Sequence, residues 1–272
     1  MDLGLRGRRA LVTGASQGIG RAVAEALAAE GCHLHLAARS KDRLEEAGAA
    51  LTAAHGVEVA THAVDLSQRG AAVALAEAAG DADILVNNAG NTPRGTILEV
   101  DEDTWRAGWE LKIFGYINLT RELYRRMVAR RAGVIVNIIG IGADKLEYAY
   151  AAGGAGNAAL ATLTRSIGSV SLEYGVRVVG VHPGWVETEK AKRSLRNRAA
   201  AELGDAERWP ELVVGWPRGA LIKPQEIADV VAFTASPRAG AVSGTIVTVD
   251  AGFASRGYPH TSAEARQWGQ PR

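Results

Sequence analysis

Eight residues near the amino end constrain this chain more than any others. Thr13-Gly14-Ala15-Ser16-Gln17-Gly18-Ile19-Gly20 joins a short apolar run to an Ala-rich segment of helical period. The glycines permit a tight turn and let backbone N–H groups approach a pyrophosphate. The start of the helix behind them adds partial positive charge. Glycines at this spacing are a weak signal alone; between a strand and a helix they point to a dinucleotide site.

The rest of the chain repeats that rhythm. Apolar runs at 10–13, 34–38, 57–63, 84–87, 134–138, 177–181 and 245–249 predict strands. Segments of helical period at 20–30, 41–54, 68–79, 102–130, 155–173 and 225–235 predict helices. The strands are nearly all apolar rather than alternating, as expected of parallel strands covered on both faces. The expected fold is a single-domain α/β protein: a Rossmann-type, doubly wound parallel sheet of about seven strands with helices on both faces, spanning residues 1–252. The rhythm breaks at 187–223, a charged stretch with Pro210 and Pro217 and with Pro224 just after it, which reads as a substrate lid. Residues 253–272 read as a tail whose Trp268 packs on a neighbouring subunit or on the lid.

Composition closes off other classes. Lys and Arg number 31 against 30 Asp and Glu, a net of +1, which argues against a nucleic-acid partner held by phosphate neutralisation. No stretch is apolar for the length of a membrane span, so no membrane partner is expected, and the opening MDLGLRGRRALVTG does not read as a signal peptide. The single Cys32 allows no intrachain disulfide and no cysteine-based zinc site, and the expected compartment is the cytoplasm. His33, His35, His55, His62 and His260 have no metal-ligand spacing with carboxylates, so no metal is expected.

Four further elements follow the glycine turn in order. Asp65-Leu66 comes after the third expected strand, and Asn87-Asn88-Ala89-Gly90 ends the fourth. His182-Pro183-Gly184-Trp185-Val186-Glu187-Thr188 follows the sixth, and Ser243-Gly244 through Asp250-Ala251-Gly252 frames the seventh. Together with a turn that looks like TGxxxGxG, these elements make about residues 5–252 resemble the short-chain dehydrogenases/reductases. The resemblance implies a nicotinamide dinucleotide held by Gly14, Ser16, Gln17, Gly18, Ile19, Gly20, Asp65, Leu66, Asn88, Ala89, Gly90, Pro183, Gly184, Val186 and Thr188. It implies an oxidoreductase that interconverts a carbonyl and an alcohol on a small-molecule substrate. It also implies a homodimer or homotetramer built through the long helices.

Which dinucleotide is read at the end of the second strand. A carboxylate there would bond the ribose 2′-hydroxyl and favour NAD(H). This chain has Arg39 and Ser40 instead, with Lys41 close behind, so NADP(H) is favoured over NAD(H). Arg39 stacked on adenine or left in solvent is the competing reading. Gln17 supplies no second cation.

The resemblance gives its chemistry to an Asn, a Ser, a Tyr and a Lys, and all four positions read as changed here. Lys112 stands at the Asn position, within Leu111-Lys112-Ile113-Phe114-Gly115. Ile139 and Gly140 stand at the Ser position, Gly153 at the Tyr position and Asn157 at the Lys position. Two readings follow. In one, the chemistry is rebuilt. Tyr150 lies one turn before Gly153, and Gly153, Gly154 and Gly156 clear space for its phenol. Lys112 then restores an ammonium, with Glu110 or Glu147 as its partner, and Asn157 bonds the ribose. In the other, the chain binds a dinucleotide without turnover, as a sensor or assembly partner. A third possibility is a non-redox lyase or isomerase using Lys112. His182, at the end of the sixth strand, is a further proton-donor candidate or a hydrogen-bonded wall residue. Trp185, Trp209 and Trp216 either line an apolar pocket or pack beneath the lid.

Overall fold

Strand and helix alternate throughout residues 1–256, the span that the computed structural model describes; the readings of His260, Trp268 and nearly all of the expected tail lie outside the described residues. The strands are β1 Arg9–Thr13, β2 His33–Ala38, β3 Val59–Ala63, β4 Ile84–Asn87, β5 Gly133–Ile138, β6 Val176–Pro183 and β7 Thr245–Val249. The helices are α1 Gly18–Ala29, α2 Lys41–His55, α3 Ala71–Ala79, α4 Glu102–Trp109, α5 Gly115–Ala129, α6 Ala151–Ser171, α7 Glu189–Leu203 and α8 Pro224–Ala235. The strands form one sheet of order β3-β2-β1-β4-β5-β6-β7, parallel at every pairing. The chain starts in the middle, winds out to β3, returns beside β1 as β4 and winds the other way. Loops at the carboxyl ends of β1 and β4 therefore part toward opposite faces and leave a crevice between them.

The core sits in two layers against the central strands. Leu27, Leu44, Ile227 and Val231 from α1, α2 and α8 cover one face. Leu75, Leu119 and Leu123 from α3 and α5 cover the other. Each such side chain contributes about 1.5–3 kcal/mol by leaving water. β4 and β6 are buried end to end, whereas the outermost strands β3 and β7 are largely open. Uniform burial of the strands therefore fails at the sheet edges, where a strand has only one neighbour.

Three expected elements are corrected. The single helix at 102–130 is α4, a five-residue π-turn over Glu110–Phe114, and α5. Within that turn the Gly115 N–H reaches back to the Glu110 carbonyl, which widens the helix at the residues flanking Lys112. The helix expected at 155–173 starts at Ala151, because tertiary contact outweighs the low helix propensity of its glycines. There Trp109 Nε1 donates to the Ala152 carbonyl at 3.0 Å. The stretch at 187–223 contains α7, capped by the Thr188 hydroxyl, which accepts from the Ala191 N–H at 3.2 Å. Leu195, Val213 and Leu221 form a small core there, with Trp185, Trp209 and Trp216 packed against it. Among the described residues no helix is long and apolar enough to cross a membrane.

The β2–β3 edge carries a pH-sensitive contact. His35 Nδ1 and His62 Nε2 lie 3.0 Å apart with their rings stacked. Burial lowers both pKa values below the ordinary 6.5, and for His35 the neighbouring His62 and Arg9 add to the effect. Protonation is thus easier in the unfolded chain. The stability these two groups contribute is complete above 6.5 and is lost as pH falls from there through the lowered values. Urea unfolding midpoints should therefore fall on acidification, and less steeply in a His62→Gln variant. Equal slopes for the two proteins would refute this.

Candidate active site

The floor of the crevice is a contact between backbone segments that only glycine permits. Gly14 and Gly18 have φ of 66° and 57°. A β-carbon at Gly20 would overlap the Gly14 carbonyl, and one at Gly14 would lie 2.8 Å from Asn88 Nδ2. Into this space the Asn88 amide donates to the carbonyl of Thr13 at 2.9 Å. The Thr13 hydroxyl accepts from the N–H groups of Asn88 and Ala89 at 2.9 and 3.0 Å. The turn after β1 is thereby tied to the loop after β4, and Gly18 and Ile19, which open α1, line the crevice.

Above that floor lies a cavity of about 480 Å³. Gly14, Ser16, Gln17, Gly18, Ile19, Arg39, Ser40, Leu66, Asn88, Ala89, Gly90, Pro183, Gly184, Thr188 and Lys112 line it. Gly20, Asp65 and Val186 do not line it. Gly20 acts through close packing on Gly14. The Asp65 carboxylate turns back to accept from the Ser67 N–H and hydroxyl at 3.0 and 2.8 Å. Val186 is buried and bridges to Ile222. Arg43 rather than Lys41 reaches the cavity, and its guanidinium donates to Gln17 Oε1 at 3.0 Å. Arg43 lies in the first turn of α2, whereas Arg39 and Ser40 precede that helix. Lys190 was hidden because the helix that carries it lies in the stretch read as a substrate lid, where no helix was expected.

The π-turn delivers Lys112 to the far end of the cavity. The Lys112 stem lies over Gly90, where a β-carbon would come within 2.9 Å of Cδ. Its Nζ donates to the Ile139 carbonyl at 2.6 Å. Tyr116, one turn later, donates its hydroxyl to the neighbouring Ile138 carbonyl at 2.9 Å. The expected partners of Lys112 are otherwise engaged: Glu147 pairs with Arg94, and Glu110 is exposed. Burial, helped by the charge of Lys190, pushes the Lys112 pKa down to about 7.

Tyr150 precedes α6 as its cap, and its ring fills the space that a side chain at Gly153 would take. Its hydroxyl shares a hydrogen bond with the Thr92 hydroxyl at 2.8 Å, and the Arg94 guanidinium stacks on its ring at 4.9 Å. Tyr150 is not among the residues lining the cavity, nor are the three tryptophans. Asn157 is buried, with its amide nitrogen toward Gly140 and Gly142 and its Oδ1 without a partner among the described residues. His182 is fully buried; its Nδ1 bonds Asp144 at 2.7 Å, and its Nε2 has no partner among the described residues. Burial lowers the His182 pKa although Asp144 opposes the shift. At neutral pH it is a neutral imidazole held in one orientation.

Comparison with known proteins agrees with this architecture. The sequence profile described as short chain dehydrogenase matches residues 8–199. Galactitol 2-dehydrogenase (L-tagatose-forming) of Cereibacter sphaeroides is 36% identical over 251 residues, covering 92% of this chain and 96% of that protein. The 3-oxoacyl-[acyl-carrier-protein] reductase FabG of Vibrio harveyi is 32% identical over 259 residues, covering 92% and 99%. The crystal structure of L-sorbose reductase from Gluconobacter frateurii, complexed with NADPH and L-sorbose, superposes with a TM-score of 0.88 at 32% identity. It covers 94% of this chain and 100% of that one.

The interlocking of Tyr150 with Gly153 is open to test. Gly153→Ala should drive the phenol off Thr92 and cost about 1–3 kcal/mol in thermal or urea unfolding. In a Tyr150→Ala background the same substitution should cost much less. Additive costs in that double-mutant cycle would show that the two sites do not share space.

Proposed function

This chain belongs to the short-chain dehydrogenase family, and on that premise we propose that it interconverts an alcohol and a carbonyl on a small molecule, using NADP(H) in preference to NAD(H). The observation that carries the reading is one continuous cavity, with the glycine turn, Arg39 and Arg43 among its walls together with Lys112. The likeness to a galactitol dehydrogenase and an L-sorbose reductase supports polyols and ketoses as the first substrates to try.

The residues fit the nucleotide. Positive φ at Gly14 and Gly18, and the want of room for a β-carbon at Gly14 and Gly20, make the cradle. The backbone N–H groups of Ser16, Gln17, Gly18 and Ile19 would face the pyrophosphate. Arg39, Ser40 and Arg43 would hold a 2′-phosphate by charge-assisted hydrogen bonds. Leu66 would cover the adenine, and Asn88, Ala89, Gly90, Pro183, Gly184 and Thr188 would wall the remainder. When bound, the nicotinamide supplies the carbon that gives or takes hydride.

The proton belongs to this chain's own side chains. In the reading in which the chemistry is rebuilt, Tyr150 handles the proton with Lys112 as helper; the geometry favours the reverse order. Lys112 lines the cavity, and its pKa of about 7 lets it give a proton as ammonium and take one as amine near neutrality. Tyr150, hydrogen-bonded to Thr92, and the buried Asn157 support the wall beside it as positioning groups.

Two measurements test this. Arg39→Ala should weaken NADPH binding about 10- to 100-fold, the worth of a lost charge-assisted contact, and leave NADH within about twofold. Equal losses for both nucleotides would remove the preference for NADP(H). With a ketose or polyol as substrate, Lys112→Met should lower kcat about 100-fold or more. Carbonyl reduction needs the ammonium and should decline as pH rises through about 7; alcohol oxidation needs the amine and should rise. Rates in both directions that stay flat across neutrality would take the proton away from Lys112.

A further inference from the structure

Two lysines meet at Gly90. The stem of Lys112 covers this glycine, and the Lys190 ammonium, arriving from the first turn of α7, donates to the Gly90 carbonyl at 3.4 Å. Both side chains line the cavity. Among the described residues neither has a carboxylate partner within ion-pair distance, unlike Lys41, which pairs with Glu45, and Lys192, which pairs with Glu187. The only hydrogen bond of Lys112 among these residues is to the Ile139 carbonyl. That contact uses one N–H and, in the neutral amine, leaves the nitrogen lone pair free.

We infer that Lys112 is a nucleophilic amine that captures aldehydes and ketones entering the cavity as an imine. An amine pressed into a low-dielectric wall beside a second cation is the arrangement that makes lysine a nucleophile near neutral pH. The Lys112 pKa of about 7 is in accord with this, and burial and Lys190 are its causes. The step balances without a redox partner. The nitrogen lone pair adds to the carbonyl carbon, and the carbonyl oxygen takes a proton. The resulting carbinolamine expels its hydroxyl as water while nitrogen gives up its remaining proton, leaving C=N. One carbonyl compound and one amine yield one imine and one water. No nucleotide takes part, so trapping is measured apart from hydride transfer, although both readings use the Lys112 amine.

The test uses the full chain without added nucleotide, with hydroxyacetone as the carbonyl probe and cyanoborohydride to reduce any imine to a stable secondary amine. The expected result near pH 7 is one adduct on the Lys112 peptide, with the mass of hydroxyacetone less one oxygen atom. It should form about tenfold or more faster than at any other lysine, since an ordinary lysine is almost wholly protonated there. Lys112→Met should lose this adduct alone. Lys190→Met should slow trapping at Lys112 at neutral pH and move its pH midpoint upward, because a cation that disfavours the ammonium has gone. Labelling at Lys112 no faster than at surface lysines would overturn the inference, as would a Lys112 profile unmoved by Lys190→Met. The rates resolved by residue in the unmodified protein decide the matter if Lys112→Met fails to fold.

Discussion

No β-carbon fits between Gly20 and the carbonyl of Gly14, and the crevice depends on that lack of room. Without a β-carbon there, α1 begins directly against the end of β1, and the Asn88 amide enters the same space to hold the carbonyls of Thr13 and Gly14. One hydroxyl, that of Thr13, organises the other side by accepting two backbone N–H groups from the β4 loop. These bonds are buried or half-buried and individually modest, about 1 kcal/mol each. Their effect is geometric: they fix the two loops that bound the cavity at the point where the strand order reverses.

From there a second line of polar contacts runs across the sheet. Asn87 at the end of β4 donates to Asn137 in β5 at 2.9 Å, and Asn137 donates to Thr164 of α6 at 3.0 Å. Such a buried chain favours one register of β4, β5 and α6, because a slip would strand its members without partners. It ends beneath the site, where α6 presents Asn157 and where Lys112 and Tyr116 hold consecutive carbonyls at the end of β5. The π-turn belongs to the same arrangement. Gly156 leaves room for Ile113 to pack on α6, and the widened turn carries Lys112 across the end of β5 rather than into solvent.

Much of this was legible in the sequence, for identifiable reasons. Strand positions and the glycine turn follow from apolar runs and from residues that have no steric substitute, so the seven strands and the cavity floor could be read directly. The interlock of Tyr150 and Gly153 could be read as well, because glycines one turn after an aromatic leave a hole of its size. The π-turn was not readable, since an extra residue in a helix changes hydrogen bonding without changing composition. α7 was missed because its sequence, EKAKRSLRNRAAAEL, is nearly half charged; it packs through few apolar residues, Leu195 and Ala199 among them. The partners of Lys112 were misread because a carboxylate was sought where the fold supplies a backbone carbonyl. That choice depends on where β5 ends, which no local pattern specifies.

The neighbours at the centre of the sheet are far apart in the chain: Ala10 pairs with Ile84, and two complete strand–helix units lie between them. The glycine turn thus has no opposing wall until Asn88 has been made. During synthesis the residues before Ile84 emerge with β1 lacking the strand that covers its inner edge, an apolar edge open to other pairings. Loop-closure entropy for this pair is met before any contact between the two strands repays it. The crevice between those strands is therefore also a checkpoint in the history of each molecule: a chain interrupted before Asn88 lacks half of the surface from which it is built.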